Sequence, residues 1–138
     1  MGLLIDSTAL IHAERKRQAP ADFVAELMER WHDPELGVSV MSAAELFHGC
    51  WRADTPARRA RREEFVEAIL AVIPVASITL AVARLFGQID ARLSGEGRRI
   101  PTSDLLIAST ALTRGDAIVT GNERHFNRVP GLEVHALS

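Results

Sequence analysis

The stretch Leu3-Leu4-Ile5-Asp6-Ser7-Thr8-Ala9-Leu10-Ile11 decides how the rest of the chain is read. Three apolar residues make a short run suited to a buried strand. An acid follows at once, and Ser7 to about Lys16 reads as a helix. A buried strand followed directly by a helix is the opening of an α/β sheet covered on both faces. In such sheets the functional crevice lies outside the carboxyl ends of the strands. Asp6 stands at such an end.

The same alternation continues outward. Pro20 opens a helix with Phe23, Val24, Leu27, Met28 and Trp31 at helical spacing. Asp33-Pro34 and Gly37 punctuate, and Val38–Val40 reads as the second strand. Ser42 to Arg52 is a helix, and Pro56 opens another with Phe65, Val66, Ile69 and Leu70 on its apolar side. Val72–Val75 is a strand candidate weakened by Pro74. Thr79 caps a helix that buries Val82, Leu85, Phe86, Ile89 and Leu93, and Gly95 and Gly97 end it. Ser103–Thr113 is apolar on most sides and is expected to be central; Ala117–Thr120 and Glu133–His135 are the last strands. The expected fold is a single α/β domain over residues 1–138, with a central parallel sheet between two helical layers.

Composition narrows the function classes. An apolar fraction of 47% with 25% charged residues belongs to a soluble globular chain. No apolar stretch is long enough to span a bilayer and no basic leader precedes the first strand, so no membrane partner is expected. The one cysteine, Cys50, excludes an internal disulfide and fits the reducing cytoplasm. A net charge of −2 argues against a general polyanion-binding surface; nucleic acid would be held by local positive charge or by metal.

Glu45 and Asp104 join Asp6 as acids beside apolar runs, where elements are expected to converge. Two carboxylates ~4 Å apart at an effective dielectric of ~20 repel by about 4 kcal/mol. A hard divalent cation is the common reason to keep such a cluster, and it points to metal-assisted phosphodiester chemistry. Asn122, after the fourth strand, is expected to face the same crevice. Singly, each residue also reads as a cap. Ser42-x-x-Glu45 has the form of a capping box, Asp104 complements a helix dipole, and Asp6 and Asn122 suit N-cap positions. Capping explains acids at helix starts but not why those starts converge.

Other motifs carry less. His12, His32, His48, His125 and His135 are scattered, with no zinc spacing. Glu45-x-x-His48 is half of a di-iron motif without its second half. Gly95-Glu96-Gly97 follows a helix, not a strand, and is no dinucleotide fingerprint. Arg58 to Arg62 read as a solvated face answered by Glu63, Glu64 and Glu67. Arg52, seven residues after Glu45 on one helix face, and Arg98 and Arg99, just before Asp104, are the candidates for contact with a phosphate backbone.

The segments LLIDSTALI, SAAELFHGCWR, PTSDLLIASTAL and VTGNERHFNRVPGLEV resemble, in order and over nearly the whole chain, the four signature blocks of PIN-domain proteins. They are most similar to the small ribonuclease toxins of VapBC toxin–antitoxin systems. The resemblance implies a three-layer α/β/α fold and Mg²⁺- or Mn²⁺-dependent endoribonuclease activity leaving 5′-phosphate and 3′-hydroxyl ends. It makes Asp6, Glu45 and Asp104 the acidic site positions and places Asn122 where many members carry a fourth acid. Asp6 and Asp104 would anchor the metal, Glu45 would orient or deprotonate water, and Ser7 or Thr8 would add a supporting hydroxyl. It further implies an RNA substrate, a small antitoxin partner that presents an Arg or Lys to the acids, and a homodimer. The apolar helices around Phe23–Trp31 and Phe65–Leu70 are the expected dimer surfaces. Two other readings remain: an aspartate-dependent phosphatase using Asp6, which would need a second acid where Thr8 stands, and a non-catalytic RNA- or partner-binding module.

Overall fold

Five strands lie side by side, all parallel, in a computed structural model that describes residues 1–137. The elements run β1 (Leu3–Ile5), α1 (Ser7–Arg15), α2 (Pro20–Arg30), β2 (Leu36–Ser39), α3 (Val40–Trp51), α4 (Pro56–Val72), β3 (Val75–Ala76), α5 (Leu80–Gly95), α6 (Thr102–Arg114), β4 (Ala117–Thr120), α7 (Glu123–Phe126) and β5 (Val134–Ala136). The sheet order is β3-β2-β1-β4-β5. The central β1 sets Leu3 opposite Leu36 on one side and Ala117 on the other.

Alternation along the strands divides the interior into two cores. Leu3 and Ile5, with Ala117 and Val119, pack against α1 to α4 through Leu10, Phe23, Leu27 and Val66. Leu4 and Ile118 point the other way, onto Ile89, Leu105, Ile107 and Phe126 of α5 to α7. Helices on both faces give the three-layer architecture expected from the first stretch. The chain winds outward from β1 through β2 to β3, then returns to build β4 and β5 on the opposite side. Winding therefore reverses between β1 and β4, where a parallel sheet opens a crevice at its carboxyl end. Asp6 directly follows β1, and Thr120 closes β4.

Several boundaries differ from the sequence expectation. The second strand is Leu36–Ser39, and Val40 already belongs to α3, because the Ser39 hydroxyl accepts the Met41 N–H at 3.0 Å and caps the helix there. Ser42 is thus not a cap: it is buried inside α3 and its Oγ has no hydrogen-bond partner. The capping box is absent, and Glu45 sits in the second turn rather than the first. Val72 ends α4, so the third strand shrinks to Val75–Ala76 after Pro74, whose carbonyl accepts the Val38 N–H at 2.9 Å. Thr79 does cap α5 through the Val82 N–H at 3.3 Å.

The surfaces expected for a dimer are partly taken up by the chain's own core, with Val24, Met28, Trp31, Phe65 and Leu70 still partly exposed. Phe23, Leu27, Val66 and Ile69 are fully buried in the chain's own core, with Val24, Trp31, Phe65 and Leu70 packed against it. Exposed large apolar side chains lie at Met1, Val40, Trp51, Val72, Val75, Ile78 and Leu80. No described helix is long and apolar enough to cross a membrane.

The four-residue α7 carries polar residues of the crevice and is held by one side chain, Phe126, fully buried in the second core. Phe126→Ala is expected to lower unfolding free energy by ~3–5 kcal/mol in urea titration, and to raise amide exchange first in residues 121–128.

Candidate active site

Asp6 is 2% exposed, and its position after β1 leaves it at the mouth of the β1/β4 gap. It occupies the N-cap position of α1, yet its side chain caps nothing. Instead Oδ2 accepts the Thr8 hydroxyl at 2.6 Å and the Thr120 hydroxyl at 2.8 Å. Each threonine oxygen in turn accepts a backbone N–H: Gly121 gives to Thr8 at 2.9 Å, and Asn122 gives to Thr120 at 2.9 Å. Each hydroxyl has one proton, and both are committed to Asp6, so the 3.1 Å approach between the two threonine oxygens is a close contact without its own hydrogen. Neither hydroxyl donates to Oδ1.

Glu45 is half-buried on α3, and Ser7 donates to its Oε1 at 3.0 Å. Asp104 lies in the first turn of α6. Burial, followed by the charge of Asp104, pushes the Asp6 carboxyl up against the lowering effect of Thr8 and Thr120. Burial also pushes Glu45 up, aided by the charges of Asp6 and Asp104 and opposed by the Ser7 and Ser103 hydroxyls. The three acids therefore act on one another, from three elements that meet only in the folded chain. Among the described residues, no Lys or Arg nitrogen lies within 4.0 Å of any of the three carboxylates.

The group most directly in contact with Asp104 is one that sequence spacing does not single out. His125 Nδ1 stands 2.6 Å from Asp104 Oδ2. A carboxylate cannot donate, so Nδ1 carries the proton in this contact. It cannot then accept from the Asn122 amide, 3.3 Å away, which is a neighbour of the pair and not a donor to it. Asn122 sits at the N-cap position of α7 without a side-chain cap and contributes its backbone N–H to Thr120. The available signal for His125 was its place three residues after Asn122, one helical turn away. Thr120 had none beyond ending a strand.

The basic candidates are not gathered at the acids. Arg52 is the exposed C-cap of α3, seven residues past Glu45, or ~10 Å further along the helix axis. Arg99 pairs with Asp90 at 3.4 Å, and Arg98 lies 4.0 Å from Glu96. His48 is exposed on α3. Cys50 is buried, and burial raises its thiol above its ordinary range, which suits a core residue and not a nucleophile.

The donor set suits a hard cation. All three acids offer oxygen, and two of them are buried in part without a basic counter-ion. No group of three or more His, Cys, Asp or Glu side chains among the described residues closes into a metal cage. Mg²⁺ takes one or two carboxylates and keeps several waters. The residues fit that open mode.

Residues 3–132 match the PIN domain. Ribonuclease VapC1 of Rickettsia felis is 28% identical over 139 aligned positions, covering 100% of this chain and 98% of that protein. The tRNA(fMet)-specific endonuclease VapC of Shigella flexneri is 34% identical over 110 residues, covering 78% of this chain and 81% of that one. A crystal structure of VapBC2 from Rickettsia felis bound to a promoter DNA fragment superposes with a TM-score of 0.87 at 21% identity, covering 100% of both chains, a likeness of fold.

The folded chain favours protonated Asp6 and Glu45. Their contribution to stability is full below the ordinary carboxylate values of 3.8 and 4.5, and it is lost as pH rises through the elevated folded values. Asp6→Asn keeps an acceptor for both threonines and removes the charge. Without divalent metal it is expected to melt ~3–5 °C above the unsubstituted protein at pH 7, about 1 kcal/mol. The two curves should converge as pH falls below 3.8. A scan of melting temperature against pH in EDTA reads this directly.

Proposed function

The chain belongs to the PIN-domain family, among the relatives of VapC, and from that premise we propose that it is a divalent-metal-dependent endoribonuclease, the toxin of a toxin–antitoxin pair. One observation carries the reading: a buried Asp6 under the charge of Asp104, with Glu45 beside them and, among the described residues, no Lys or Arg within 4.0 Å to neutralise the group. Such a crevice is built for a cation that arrives from solution.

Asp6 and Asp104 would hold Mg²⁺ or Mn²⁺, with Glu45 contributing directly or through water; the ion supplies Lewis acidity toward the phosphate and a lowered pKa for water. The residues do the rest. Thr8 and Thr120 fix Asp6 through Oδ2 and leave Oδ1 free of hydroxyl donors. Ser7 fixes Glu45 through Oε1. The raised carboxyl of Glu45 makes it the group suited to take a proton from the attacking water. His125 donates to Asp104 from outside the acid cluster and sets its rotation, as the outer partner of a metal-binding carboxylate does. Asn122 gives its backbone N–H to Thr120, and its amide oxygen would be placed to orient a metal-bound water. Attack in line with the leaving 3′ oxygen gives a 5′-phosphate and a 3′-hydroxyl.

An aspartyl-phosphate mechanism is disfavoured, because Thr8 stands where a second acid would be needed. The proposal includes a cytoplasmic location and a small antitoxin partner whose Arg or Lys enters the acid cluster in place of the cation. It also includes a homodimer, with Val72, Val75, Ile78 and Leu80 as the exposed apolar surface.

Purified protein is expected to cleave tRNA and generic RNA with Mn²⁺ or Mg²⁺ and to be inactive in EDTA. Glu45→Gln should lose ~10²–10⁴-fold in rate, and Asp104→Asn should lose cleavage while remaining folded by circular dichroism. His125→Ala should weaken Mn²⁺ binding ~10–100-fold in calorimetric titration, with His125→Asn retaining part of it. Full activity in EDTA, or in folded Asp104→Asn, would falsify the assignment.

For the dimer, light scattering at micromolar concentration should give twice the chain mass, and Leu80→Asp should return the monomer mass. A monomer throughout sinks that surface.

A further inference from the structure

Two adjoining clefts run away from Glu45. The first, of about 190 Å³, lies among α1, α3 and α4 and is lined by Glu45, by Leu46, Phe65 and Val66 as apolar residues, and by Arg15 and Arg62. The second, of about 420 Å³, is lined by Glu14, Arg15, Arg17, Arg58, Arg61 and Arg62. Glu14, Arg15 and Arg62 belong to both, so the two form one continuous depression. Five arginines thus converge from the end of α1 and the start of α4, on a chain whose net charge is −2.

Part of this basic face is answered by acids, as Arg59 is by Glu63 at 3.9 Å, and part is not. Arg58 is paired with Asp54 at 2.8 Å, and Arg62 gives a hydrogen bond to the Gly49 carbonyl at 2.9 Å and lies 4.0 Å from Glu14. Arg15, Arg17 and Arg61 have no carboxylate within 4.0 Å among the described residues. These three guanidinium groups have no acidic partner, in a cleft that leads to the acids.

The backbone at Arg17 is left-handed, with φ +57°, as it also is at His32 and Asp33. It closes α1 through a pair of bonds, Arg17 N–H to Glu14 carbonyl at 2.9 Å and Gln18 N–H to Ala13 carbonyl at 3.0 Å. This is the helix ending in which glycine is the favoured residue, because a Cβ is strained there.

We propose that this depression is the path of the RNA backbone, with Arg15, Arg17 and Arg61 holding phosphates of a single-stranded segment whose next linkage reaches Glu45. The assignment rests on the ribonuclease reading above. Guanidinium groups bind phosphate oxygens through paired N–H donors, and the apolar wall at Leu46, Phe65 and Val66 accepts a base or sugar face. An acidic protein segment fits the arginines but not the end of the path, where its carboxylates would meet Glu45 and Asp6 with no reaction to be gained.

The test is fluorescence anisotropy of a labelled twelve-nucleotide oligouridine in EDTA, where cleavage cannot interfere, across a potassium chloride series. The triple variant Arg15→Gln, Arg17→Gln, Arg61→Gln is compared with the unsubstituted protein and with Arg84→Gln, an exposed α5 residue outside both clefts. The triple variant is expected to bind at least ~10-fold more weakly, with the slope of log affinity against log salt less negative by ~2, from ~0.7 per lost phosphate contact. The control should match the unsubstituted protein. Arg17→Gly separates contact from architecture: it should raise the melting temperature and still weaken RNA binding. The path is overturned if the unsubstituted protein does not bind the oligonucleotide, or if the triple variant keeps its affinity and salt slope. It is also overturned if the variant loses affinity for poly-glutamate while keeping RNA, which would give the cleft to an acidic protein. Cleavage of the same oligonucleotide with Mn²⁺ is scored separately. Binding through the arginines without cleavage refutes the ribonuclease reading and leaves the path standing; cleavage with an unaltered KM in the triple variant does the reverse.

Discussion

A buried carboxylate organises this molecule. Asp6 is withdrawn from water at the end of the central strand, and withdrawal of a charge is unfavourable unless hydrogen bonds replace the lost solvent. Thr8 and Thr120 replace it, and their oxygens then receive the N–H groups of Gly121 and Asn122. Four donors thus connect the start of α1, the end of β4 and the turn into α7 to one carboxylate oxygen, directly or through one hydroxyl. The crevice between β1 and β4 keeps its shape because both of its walls hang from the same atom.

Hydrogen bonding holds Asp6 in place but does not neutralise it. Burial raises Asp6 and Glu45, and the neighbouring acids raise them further. His125 is the sole ring nitrogen among the described residues within salt-bridge distance of these three acids, and it engages Asp104 alone. The site therefore stores unfavourable electrostatic energy in the absence of a cation, a pattern common where function and stability are opposed. The arginines are kept apart from it. Had they stood against the acids, they would have neutralised them and closed the crevice. Placed one cleft away, they can attract a polyanion while the acids stay free for a divalent ion.

The fold was legible in the sequence because each of its cues is local. Apolar triplets and quartets such as Leu3–Ile5 and Ala117–Thr120 suit buried strands, and the spacing in Phe23 to Leu27 or Val82 to Leu93 suits helices. Boundaries failed where a side chain made an unforeseen local bond. Ser39, not Ser42, caps α3, and that shift of three residues removed the capping box and moved Glu45 into the helix. The apolar faces of α2 and α4 were legible as apolar but not as buried, because periodicity shows that a helix has an apolar face, not what covers it.

By itself the sequence determined the architecture, since a run of short apolar strands separated by amphipathic helices can bury its strands on both faces only as a covered parallel sheet. It also determined that acids occupy the ends of particular elements. Tertiary structure alone decided what those acids touch. Thr120 reaches Asp6 across 114 positions, Ser7 reaches Glu45 across 38, and His125 reaches Asp104 across 21. The arginine cleft is of the same kind, since Arg15 and Arg17 end one helix and Arg61 and Arg62 lie in another. Spacing rules describe neighbours along one strand or one helix. Side chains on different elements meet only after the sheet has set the order of its strands, and their charges begin to act on one another only then.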